Sequence, residues 1–324
     1  MKNYLLLIFI SWGVFINAQL STRTYSVSGR EYDVTVPSNY MSTKEYPVVF
    51  ELHSFGKDKT EMKDQKAVDE LQYISVRPEG TKLPKWATLF SSKRGNVWNT
   101  WSENKFLTNE NDVAYITEVY NDVRSKMGAT FNPEKVFVYG FSNGGAMAMK
   151  MVQETTLFKA VVVRSMSFVK GHTIPNGAPK VPILFIHGTE DETVPYTGGK
   201  GKFGSFSPNF EAVKETAKKW AQHNDCQMQS QDIQYLRTSE ELGEFWFREY
   251  DNFTVQAPVY LYAVVDAEHG TGTTNTNPKE KTGFTHRNIK RTALRLFKSP
   301  PCYGLYQDTE VCKSITSKNY KKSS

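Results

Sequence analysis

Residues 134 to 151 read EKVFVYGFSNGGAMAMKM, and no other stretch of the chain limits its fold as tightly. The first half, Val136 to Tyr139, is β-branched and aromatic without a charge, the composition of a buried strand. From Gly144 the chain turns to Ala and Met, which favour a helix. Between them Gly140-Phe141-Ser142-Asn143-Gly144 fits Gly-x-Ser-x-Gly, a pattern that chance alone produces in about one chain in ten of this length. Context gives it weight. A strand before and a helix after make a turn so tight that only glycine fits at its flanks, with the serine held at the end of the strand.

The order of elements agrees with that placement. RTYSVSGREYDVTVPSNY (23–40) alternates polar and apolar residues around Ser28-Gly29 and predicts a hairpin; YPVVFELHSFG (46–56) predicts a short strand ending in a loop. KAVDELQYISVRPEG (66–80) reads as helix then strand. Apolar residues at 113, 116, 119, 120 and 123 have helical spacing, with Asn111 or Asp112 able to cap. Beyond the serine motif come strands in FKAVVVRSMSF (158–168) and VPILFIHG (181–188), a helix over 209–224, a strand in PVYLYAVVDAEHG (258–270) and a helix over 288–299. Nearly uncharged strands alternating with amphipathic helices predict a mostly parallel central sheet with helices on both faces, whose chemistry gathers at the carboxyl ends of the strands.

The 324 residues, 39% hydrophobic and 23% charged, suffice for one large domain, and no repeat or low-complexity linker divides it. Lys and Arg are dispersed under a net charge of +6, which gives no nucleic-acid footprint. MKNYLLLIFISWGVFINAQLS has a basic residue, a twelve-residue, mostly apolar run from Leu5 to Ile16 and a small residue at Ala18, so residues 1–18 are expected to be a signal peptide and the chain to be exported, to the periplasm or beyond. Residues 19–300 then form the catalytic domain, without a further membrane segment. Cys226, Cys302 and Cys312 allow one disulfide in an oxidising compartment; a Cys302–Cys312 clip would tie down the 301–324 tail. No metal-ligand spacing is present, and no cofactor is expected.

A serine hydroxyl needs a base to remove its proton, and the base needs an orienting carboxylate, both downstream in a sheet of this kind. His269 ends a strand ahead of the flexible GTGTTN and is the expected base; His53, His172, His187, His223 and His286 are assigned structural roles. Glu190, Asp191 and Glu192 follow the 181–188 strand, and the short side chain of Asp191 makes it the expected orienter, with Asp266 as the alternative. The backbone N–H of Asn143, next to the serine, and that of Phe55, in the HSFG loop, are the expected donors to an oxyanion.

These stretches together, with VRPEG (76–80), VWNTW (97–101) and HGTEDETVPY (187–196), resemble the secreted polyhydroxybutyrate depolymerase and feruloyl esterase family of α/β-hydrolases from about Arg23 to Lys298. The resemblance implies an α/β-hydrolase fold with Ser142 as nucleophile, Asp191 as acid and His269 as base. It also implies a polymeric ester substrate: feruloyl or acetyl esters of plant polysaccharide, or else a polyhydroxyalkanoate or other polyester. Two departures stand out. The family's usual His-Gly in the oxyanion loop is here His53-Ser54, and the Trp-Pro that often follows the histidine is replaced by GTGTTNTNP.

Trp98 and Trp101 are candidate substrate contacts, since an aromatic face can stack on a ferulate or a sugar; packing of the loop onto the core is the competing role. YTGGKGKFGS (196–205) lacks the spacing of a phosphate loop and reads as an ordinary loop. A serine peptidase on the same fold and a non-catalytic glycan-binding protein are the rival functions.

Overall fold

The computed structural model describes residues 21–85, 95–100, 108–202, 208–226, 257, 259–264 and 267–270, and the backbone of 234–237 and 244–250. The signal peptide, Trp101, Cys302, Cys312, Asp266, His286, the helix expected at 288–299 and the tail lie outside these residues.

A ten-stranded sheet runs through the molecule. Its strands are β1 (Thr22–Val27), β2 (Arg30–Thr35), β3 (Tyr46–Leu52), β4 (Ile74–Pro78), β5 (Phe131–Phe141), β6 (Ala160–Arg164), β7 (Ile183–Gly188), β8 (Gln234–Arg237), β9 (Glu244–Tyr250) and β10 (Val259–Val264). Their spatial order is β1-β2-β4-β3-β5-β6-β7-β10-β9-β8. The six central strands, β4 to β10, are parallel, while β1-β2 on one edge and β9-β8 on the other run antiparallel. At the first edge Ser28 and Gly29 both take positive φ, 50° and 75°, which suits the tight turn of a hairpin.

Helices cover the sheet because alternate residues of the buried strands point to opposite faces. Val48 and Phe50, with Val136 and Val138, pack under α2 (Asp112–Met127), α3 (Asn143–Glu154) and α4 (Val213–His223). On the other face, Val49, Phe137, Tyr139 and Val162 pack with α1 (Gln65–Leu71). Asn111 caps α2, its side chain accepting the Ala114 N–H at 3.0 Å, and Asp64 caps α1 through Ala67. Gly140 of β5 pairs in register with Leu52 of β3 and Val163 of β6, so the serine turn and the loops after β3 and β6 leave the sheet side by side.

Candidate active site

Ser142 stands between β5 and α3 at φ 54° and ψ −120°, a backbone state that L residues rarely adopt. The glycines beside it answer to close approach: a Cβ on Gly140 would meet the Gly144 carbonyl oxygen at 2.0 Å, and one on Gly144 the Leu52 carbonyl oxygen at 2.2 Å. A serine just before a helix ordinarily caps it. Here the side chain makes no capping bond, and Oγ lies 3.1 Å from His269 Nε2.

The hydrogen bonds continue past the ring. His269 Nδ1 is 2.8 Å from Asp191 Oδ2, and a carboxylate can only accept, so the proton sits on Nδ1 and the lone pair of Nε2 faces the hydroxyl. Asp191 is fully engaged. Oδ1 accepts the N–H groups of Thr193 and Val194 at 2.9 and 2.8 Å, and Oδ2 has both His269 and, at 3.2 Å, Nε2 of His187. Burial pushes the carboxyl's pKa up, but the hydrogen bonds and charge attraction from His187 and His269 outweigh it and hold Asp191 well below the usual carboxylate range.

Backbone ties bring the two loops together across the sheet. Thr189 donates to the Val264 carbonyl at 2.9 Å and Glu190 to that of Ala267 at 3.0 Å, while Gly270 donates to Ser165 Oγ at 3.2 Å. The Phe141 ring lies 5.5 Å from the His269 ring. An imidazole carried on a loop is thus held from three sides.

The loop after β3 is clamped as well. Nε2 of the buried His53 accepts the Gly80 N–H at 2.9 Å, which leaves the proton on Nδ1 for the Ser54 carbonyl at 2.8 Å. Burial lowers the His53 pKa to about 4, against a weaker upward pull from that backbone bond, and the ring is neutral. Ser54 takes the place of the family's glycine without leaving its groups unpaired, since its N–H and hydroxyl both donate to the Glu61 carboxylate, at 2.7 and 2.9 Å. Phe55 follows, half-buried against Leu83 and Val97. Asn143 opens α3, where the helical pattern leaves the first N–H groups without an acceptor of their own.

Trp98 requires a correction. It is 0% exposed and offers no face to a substrate. Its indole N–H donates to the His53 carbonyl at 2.9 Å, its backbone N–H donates to Asn143 Oδ1 at 2.8 Å, and its carbonyl accepts from Asn143 Nδ2 at 3.2 Å. The residue is a strut between the two segments assigned to oxyanion binding. Of the histidines given structural roles, His172 lies near Gln153 and His223 near the Pro179 carbonyl. The cysteine Cys226 is buried beside the Ala257 carbonyl. Three residues of the site had not been assigned to it from sequence: His187, Glu61 and Ser165. Only His187 carried a signal, its four-residue spacing from Asp191.

A parallel sheet with a serine on a strained strand-to-helix turn, facing a histidine and an aspartate at later strand ends, defines an α/β-hydrolase. The model of the phospholipase/carboxylesterase family matches residues 40–238, more than half of the chain, and the chain belongs to that family. Among individual relatives it is 26% identical over 209 residues to a "Probable feruloyl esterase C" of Aspergillus clavatus, covering 64% of this chain and 66% of that protein. It is 25% identical over 191 residues to feruloyl esterase C of Emericella nidulans, covering 59% and 65%. Each match thus spans about two thirds of the relative. In fold it is similar to the acetyl xylan esterase of Aspergillus awamori, with a TM-score of 0.54 over 77% of this chain and 94% of that one at 16% identity. Among the described residues no helix is long and apolar enough to cross a membrane.

Proposed function

We propose that this chain is an exported serine esterase that cleaves carboxylic esters through an acyl-enzyme. Ser142 Oγ attacks the ester carbonyl as His269 Nε2 takes its proton, and the carbonyl oxygen becomes an anion that the N–H groups of Asn143 and Phe55 bind. The imidazolium, paired with Asp191, returns the proton to the departing alcohol as the C–O bond breaks. Water then repeats the sequence on the acyl-serine, releasing the acid and restoring the hydroxyl. The observation that carries this reading is the unbroken run from Ser142 Oγ through His269 to Asp191, at 3.1 and 2.8 Å, on a serine that makes no capping bond.

Similarity to feruloyl esterases favours feruloyl, then acetyl, esters of plant polysaccharide as substrates. Export rests on the N-terminal apolar stretch. Release of ferulate, acetate and 3-hydroxybutyrate from matched esters tests the substrate, with Ser142→Ala as control. The reading expects ferulate to leave at the highest kcat/KM and all release to vanish in the variant; dominant 3-hydroxybutyrate release would reassign the enzyme to polyester.

A further inference from the structure

Asp191 has a second imidazole against it. His187, the penultimate residue of β7, is 0% exposed, and its Nε2 lies 2.8 Å from the Val194 carbonyl oxygen and 3.2 Å from Asp191 Oδ2. Both neighbours are acceptors, so the ring carries its proton on Nε2. Nδ1 has no partner among the described residues, and as a bare lone pair it is less costly to bury than an orphaned N–H.

We propose that His187 is a positioning residue for the reaction assigned to Ser142, His269 and Asp191, on which reading the inference rests: its Nε2–H, shared between Asp191 Oδ2 and the Val194 carbonyl, fixes the carboxylate and draws part of its charge away from His269. The crowding at Asp191 gives the reason. Oδ1 is occupied by the Thr193 and Val194 N–H groups, so Oδ2 must serve both rings. Without the second donor its full charge would fall on His269 and stabilise the imidazolium more strongly. The base would then keep its proton to higher pH, and would be held by a carboxylate with one fewer restraint. Among the described residues, the other charged groups in the segments around His269 stay unchanged: Arg164, whose guanidinium lies 4.4 Å from the centre of the Phe141 ring, and the exposed Glu190, Glu192 and Glu268.

The wild type is first titrated with a fluorophosphonate and assayed on p-nitrophenyl acetate; absence of both label and turnover would overturn the esterase reading and this role with it. In an active enzyme, His187→Leu is expected to lower kcat per titrated site about tenfold at unchanged KM, and to raise the acid limb of kcat/KM by about one pH unit. His187→Gln, which returns an N–H at similar reach, is expected to restore most of both. A Leu variant with wild-type kcat per site and an unmoved acid limb would overturn the positioning role and leave the esterase reading intact. If the Leu variant yields no titratable sites, ¹⁵N NMR of the histidine-labelled wild type decides the question: a neutral His187 with its proton on Nε2 across the active pH range supports the role, and a proton on Nδ1 overturns it.

Discussion

The rings of Trp98 and His53 lie 4.8 Å apart, between the two backbone segments whose N–H groups are proposed to bind the oxyanion. That position decides what Trp98 does. Trp98→Phe keeps the ring contact but leaves the buried His53 carbonyl without the indole N–H, and is expected to lose about 1 to 3 kcal/mol of stability. KM for a feruloyl ester should stay within about twofold, since no stacking contact is lost; unfolding curves and steady-state kinetics read the two effects, and a large rise in KM with stability unchanged would return Trp98 to the substrate. Ser142→Ala, by contrast, should leave stability nearly untouched and lower kcat by at least about a thousandfold. That Ser142, His269 and Asp191 come together was legible from sequence, because the proposed chemistry asks for those types, in that order, at strand ends. Trp98 was not, because an aromatic residue in a loop serves equally as strut or platform and its direction depends on partners distant in the chain.

The strand-to-helix turn makes a graded prediction at the scale of the element. A Cβ at Gly140 or Gly144 would overlap backbone carbonyls at 2.0 and 2.2 Å, whereas one at Gly145 would meet Met166 Cβ at 3.1 Å and the Arg164 oxygen at 3.3 Å, distances that small shifts relieve. Gly140→Ala and Gly144→Ala should therefore each cost more than about 3 kcal/mol or prevent folding, and Gly145→Ala about 1 kcal/mol or less. Urea unfolding of the three variants measures the order, and equal losses would mean that the turn is not the tight element described. Legibility follows the same physics. Unbroken apolar runs such as those of β5 and β7 declare buried parallel strands, and Asn111 announces the start of α2. β8 and β9 escaped notice because a four-residue strand and one interrupted by Glu244, Arg248 and Glu249 show neither an apolar run nor clean alternation.

For the whole molecule, burial of neutral His53 ties stability to pH. Its pKa is about 4 when folded against an ordinary 6.5. Between those values the unfolded chain binds a proton that the folded chain refuses, so this contribution is complete above about pH 6.5 and is lost as pH falls toward 4, by up to about 3 kcal/mol. Asp191 has the opposite ionic form but the same sign of effect: its lowered pKa contributes above the ordinary carboxylate value and is lost only as pH falls through the still lower folded one. Unfolding free energies at pH 7.5 and 4.5 should therefore differ by about 2 to 3 kcal/mol less in His53→Gln than in the wild type; an unchanged difference would place the acid sensitivity elsewhere. The central claim, that this fold exists to make one serine nucleophilic, is tested most directly by reacting the folded protein with a fluorophosphonate, mapping the adduct by mass spectrometry and following ester hydrolysis in parallel. One adduct at Ser142, formed in step with loss of hydrolysis and absent from Ser142→Ala and from the unfolded chain, is the result predicted. A folded protein that hydrolyses esters while Ser142 remains unlabelled would contradict it.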